Sequence, residues 1–206
     1  MSVTKQASIA LAALAAATVL SACANPAAAP PTTPAAPVTA SSSEASESIN
    51  NAADTTFAQM MIIHHLGAIE MAEFAVEKAE DPQVKALGER ISAAQRPEID
   101  LMSSWLADWG EDPAPEISAM PSMDHSGMEM DGMSQDEVMA NLENLSGAEF
   151  DRQFLTSMIA HHQGAITMAE TQLADGENPD ALSLAEKIIG DQQAEIEEMR
   201  QLLATV

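Results

Sequence analysis

From residue 54 onward the apolar positions recur with a helical period. At about 100° per residue, Phe57, Met61, His64, Ala68, Met71 and Ala75 fall on one narrow stripe. This spacing predicts a helix from about Thr55 to Lys78. A second stripe, Phe154, Met158, His161, Ala165, Met168 and Gln172, predicts another from about Glu149 to Leu173. Two further helices should begin at Asp81-Pro82 and Asn178-Pro179, each a capping side chain followed by proline at the first helical position. Their apolar faces would carry Leu87, Ile91, Met102 and Leu106, and Leu184, Ile188, Met199 and Leu203. Gly110 and Pro113 stop the earlier of the two. Ser146 with Glu149 has capping-box spacing. A short extra helix is expected near Gln135–Leu142. Aromatic residues are few and β-branched runs sparse, which leaves little case for strands.

The two hairpins are copies. Residues 61–73 read MIIHHLGAIEMAE and residues 158–170 read MIAHHQGAITMAE, identical at ten of thirteen positions. The offset of 97 then holds without a gap. Asp54 pairs with Asp151, Pro82 with Pro179, Gln95 with Gln192, Glu98 with Glu195, and Met102 with Met199. A duplicated helical hairpin predicts an all-α protein, a four-helix bundle.

Composition divides the chain. Residues 6–22 are apolar and Ala-rich behind Lys5, too short and weakly flanked for a membrane span, and read as a signal-peptide core. The run ends in Leu20-Ser21-Ala22-Cys23, which resembles a bacterial lipobox. Residues 1–22 are therefore expected to be a lipoprotein signal, with Cys23 lipid-modified. Residues 23–53, almost all Ala, Pro, Ser, Thr, Asn and Glu, read as a stalk. The bundle is assigned to 54–206: repeat one at 54–109, a connector at 110–146, and repeat two at 147–206. The net charge of −24 argues against nucleic-acid binding. An exported protein is expected, anchored at the outer face of the cell membrane or held in the periplasm.

The candidate chemistry is that of a soft metal. Four of the five histidines lie in the repeated phrase, between methionines. Within each pair, His64 or His161 should face the core, and His65 or His162 should turn toward the stripe's edge. The connector adds Met120, Met123, His125, Met128, Met130 and Met133 in a Gly- and Pro-containing stretch with no helical pattern of its own. Thioethers suit Cu(I), imidazole serves Cu(I) and Cu(II), and methionine binds without losing a proton. Zinc and calcium signatures are missing from the sequence, as is the Glu-x-x-His of di-iron bundles. The bland alternative stays open: core histidines held by Gln95 or Glu98, with methionine as core filler.

The phrase M-x-x-H-H-x-x-A-x-x-M-A, with a partner helix bearing Q-x-x-E-I-x-x-M, resembles the bacterial family called domain of unknown function 305. The resemblance covers about residues 54–206. It implies a ferritin-like four-helix bundle, an exported or periplasmic location, and copper binding through Met61, His64, His65, Met71, Met158, His161, His162 and Met168, with Met102 and Met199 on the partner helices.

The resulting expectation is a membrane-tethered copper-binding protein, not an enzyme, that sequesters copper or exchanges it with a donor or acceptor protein. Two separate sites are expected: Met61, His64, Met71 and Met102, then Met158, His161, Met168 and Met199. Gln95, Glu98, Gln192 and Glu195 would stand behind the ligands. The rivals are a metal-dependent oxidase and a metal-free lipoprotein that binds a partner.

Overall fold

The structure, a computed structural model, describes residues 49–115 and 133–206. The signal, Cys23, most of the stalk, and Met120, Met123, His125, Met128 and Met130 lie outside the described residues. Five helices are present among those described: α1 (Ala52–Lys78), α2 (Pro82–Trp109), α3 (Gln135–Glu143), α4 (Gly147–Asp175) and α5 (Pro179–Leu203). The expected all-α, ferritin-like bundle is what forms. None of these helices is long and apolar enough to cross a membrane.

The helix ends follow local chemistry. Asp81 accepts from Gln83 N at 2.7 Å, and Asn178 accepts from Asp180 N and Ala181 N. Each is followed by proline, whose missing N–H costs nothing in the first turn. Gly110 closes α2 with φ +72°, a left-handed conformation that glycine adopts without a Cβ clash. The expected Ser146–Glu149 capping box does not form, because the Ser146 side chain makes no capping hydrogen bond. Capping boxes occur instead at Asn51/Asp54 and Ser134/Glu137.

The duplicated aspartates tie the hairpins together. Asp151 accepts from Glu80 N and Asp81 N, in the turn of repeat one. Asp54 accepts from Glu177 N and Asn178 N, in the turn of repeat two, and also from Asn51 N and Gln172 Nε2. Each repeat therefore satisfies the other's turn. Both carboxylates are buried, where an unpaired charge would be costly.

α1 and α4 pack antiparallel. Asp54 meets Gln172, and the Phe74 and Phe150 rings lie 6.0 Å apart. Two apolar clusters flank this contact. One contains Met71, Met158, Met199, Phe150 and Phe154, with Val138 and Leu142 from α3. The other contains Phe57, Met61, Met102, Trp105, Ile188 and, partly buried, Met168. Each large apolar side chain so buried contributes about 1.5–3 kcal/mol.

Candidate metal centre

The inward histidines of the two repeats meet. The His64 and His161 ring centroids are 3.7 Å apart, with the planes tilted by 50°. His64 is 2% exposed and His161 4%. This differs from the expected pair of separate sites. α1 and α4 cross where the stripes place these residues, so duplication brings the two imidazoles face to face.

The methionines are exchanged in the same way. Met61 and Met102 of repeat one share a cluster with Met168 of repeat two. Met71 of repeat one shares the other cluster with Met158 and Met199. The 97-residue offset converts one triad into the other. The histidine pair thus stands between two Met triads, each drawn from both repeats, rather than within two single-repeat sets.

His65 and His162 are fully buried, not at an edge. Each faces the second helix of its own hairpin, where a carboxylate holds it. His65 Nε2 donates to Glu98 Oε2 at 2.8 Å, and His162 Nε2 donates to Glu195 Oε2 at 2.7 Å. Glu98 therefore orients His65, not His64, as its hydrogen-bond partner. Neither Nδ1 has a hydrogen-bond partner among the described residues. An imidazole fixed through one nitrogen by a carboxylate and open at the other has the arrangement of an oriented metal ligand. Gln95 and Gln192 are buried as well, and the side-chain oxygen of each accepts no hydrogen bond from the described residues.

The electrostatics favour a neutral imidazole at His161. Burial, then the neighbouring rings of His64, His162 and His65, hold His161 well below the usual histidine range. A neutral ring keeps the lone pair that a metal needs. Burial pushes Glu98 up, but hydrogen bonds from His65 and Lys187 overrule it, so its carboxyl sits below the usual value. Lys187 reaches Glu98 Oε1 at 2.7 Å from α5, and hydrogen bonds to Asp191 and Glu98 raise it to about 12.

This donor set fits a soft ion: imidazole nitrogens and thioethers in a buried setting. No group of three or more His, Cys, Asp and Glu side chains suited to a metal comes together among the described residues. Met133, the end of the connector tract, packs against the Met71–Met158–Met199 cluster. Two neighbours escaped sequence reasoning. Gln135 hydrogen-bonds Gly67 O and Glu70 Oε2 beside the pair, and nothing in its sequence context marks it. Gly67 is identical in both copies, a signal that was available.

Residues 54–203 match the family described as Domain of unknown function (DUF305). A DUF305 fragment from Deinococcus radiodurans is 30% identical, with a TM-score of 0.66 over 76% of this chain and 98% of that one. CopM in the Cu(I)-bound form is 36% identical, with a TM-score of 0.59 over 72% of this chain and 94% of its own. Its Cu(II)-bound form is 38% identical, with a TM-score of 0.62 over 73% and 95%. A DUF305 protein from Streptomyces coelicolor, provisionally described as secreted, is 31% identical, with a TM-score of 0.64 over 74% and 91%. No curated protein matches the chain significantly.

Proposed function

The chain belongs to the DUF305 family, and from that premise we propose that it binds copper, Cu(I) in preference to Cu(II), outside the cytoplasm. The observation that carries this reading is the contact of His64 with His161 between two methionine triads. His64 and His161 would supply nitrogen to the ion, with thioethers arriving from either end. His65 and His162, oriented by Glu98 and Glu195, add two more nitrogens within the same core. Solved CopM structures with Cu(I) and Cu(II) support copper as the ion.

The role is sequestration or transfer of copper, contributing to copper homeostasis or resistance. Catalysis is not part of the proposal. The glutamates that an oxidase centre would draw on are bound to His65 and His162. In the connector, Met120, Met123, His125, Met128, Met130 and Met133 would capture ions and pass them to the bundle or to a partner protein. Cys23 would carry the lipid that holds the protein at the membrane.

Cu(I) titration of the mature chain against a competing chelator tests the reading. Binding weaker than roughly micromolar, the −8 kcal/mol scale, would sink it. Deleting residues 120–133 should remove only the connector's share of the copper. Cys23→Ser should release the protein from the membrane fraction; unchanged retention rules out the anchor.

A further inference from the structure

Among the described residues α3 has no counterpart ahead of α1, and it lies beside the histidine pair. From Val138 onward it is firmly held. Val138 and Leu142 are fully buried against the Met71–Met158–Met199 cluster. Lys78 Nζ donates to the terminal carbonyls, Leu142 O at 3.1 Å and Glu143 O at 2.7 Å, where a cation suits the helix dipole.

The first turn is held differently. Gln135 Nε2 donates to Gly67 O at 3.1 Å and Glu70 Oε2 at 3.0 Å. Gly67 is where this turn meets the pair. A Cβ placed there would lie 3.1 Å from Gln135 Oε1 and 3.4 Å from His161 Nε2. The lack of a side chain lets the amide and the imidazole approach the same spot on α1. The duplicated glycine tells the effect of the cover: Gly67 is buried, whereas Gly164 is half-buried.

We propose that the first turn of α3 is a latch over the His64–His161 pair, with Gln135 as its catch on Gly67 and Glu70. Release of the catch lifts residues 134–137 while Val138, Leu142 and Lys78 keep the rest of α3 docked. An ion then exchanges between solvent and His161 over Gly67. Ser134, Asp136 and Glu137 are exposed, so Gln135 and the packed Met133 are what hold this stretch, and segments with few buried contacts open first. The inference rests on the copper reading for the identity of the ion, but not for the latch itself.

The metal-free mature chain, with Gln135→Ala and Gln135→Glu, provides the test. Diethyl pyrocarbonate labels accessible imidazoles, and peptide mapping reads each histidine separately. Gln135→Ala should raise the labelling rate of His161 about five- to tenfold, the worth of one hydrogen bond. Gln135→Glu, which sets a carboxylate against Glu70, should do at least as much. His65 should stay protected in both variants, and the melting temperature should stay within a few degrees. Unchanged His161 labelling in both variants overturns the latch. General labelling of His65 and His161 together also overturns it, since that is loosening of the bundle. In stopped-flow loading, both variants should take up Cu(I) faster at equal final stoichiometry. Exposure of His161 in a chain that binds no Cu(I) would leave the latch standing and remove the copper reading. Normal Cu(I) binding with unchanged labelling does the reverse.

Discussion

The two repeats share their histidine and methionine positions and differ in what surrounds them. Met61, His64, His65 and Met71 recur as Met158, His161, His162 and Met168, and both His–Glu pairs form. Yet Glu98 also takes a hydrogen bond from Lys187, while Arg90, the residue equivalent to Lys187, pairs with Glu198. Met71 is buried under a cluster that α3 helps close, and Met168 is only partly buried. α2 carries Pro97 in its interior where α5 has Ala194. Duplication preserved the donors; divergence changed cover and charge around them. The shared features belong to the buried axis of the bundle, and the unshared ones to its surface and connector.

The largest expected effect separates one shared centre from two independent ones. His64→Ala and His161→Ala should each weaken Cu(I) binding at the buried centre by about a hundredfold, the upper range for disturbing a ligand set. The double variant should cost little more than either single change, because the residues act as a unit. If each single variant instead keeps one full-strength site, the centre is not shared.

The crossed carboxylates come next. Asp54→Ala strands the N–H groups of Glu177 and Asn178, together with Asn51 N and the Gln172 amide. Asp151→Ala strands only those of Glu80 and Asp81 among the described contacts. Unsatisfied buried donors predict losses of about 3 kcal/mol or more for Asp54→Ala and about 2 kcal/mol for Asp151→Ala in urea denaturation. Equal losses would show that the repeats' turns are equivalent despite the unequal bonding.

Glu98→Gln and Glu195→Gln remove the carboxylates that fix His65 and His162. Each should lower copper affinity by roughly tenfold, with the fold intact by circular dichroism. An effect from only one variant would assign the oriented ligand to that repeat. The smallest change is Lys187→Met. Lys187 is half exposed, so stability should move by under about 1 kcal/mol. Its mark should be a shift in the NMR resonances of the His65 ring, with those of His162 unmoved.

Periodicity and capping residues were enough to read the helices, because both act within a few residues of the chain. The starts at Asp81-Pro82 and Asn178-Pro179 and the stop at Gly110 were legible for that reason. Ser146 shows the reach of local rules: a motif with correct spacing forms no side-chain cap where Gly147 takes a left-handed conformation. The inward turn of His64 and His161 was legible from the stripe. The partner of each was not, since the stripe gives direction without saying what lies opposite.

The helical hairpin, its duplication, and the paired His and Met chemistry that suits a soft ion are all written in the order of residues along the chain. These follow from spacing along one helix and from the donor properties of single side chains. That His64 faces His161, that each Met triad draws on both repeats, that Glu98 holds His65, and that Gln135 closes over Gly67 emerge from the packed helices alone. Those contacts depend on how α1 crosses α4 and where α3 docks. Packing of apolar faces between distant segments sets both, and a helical period does not encode it.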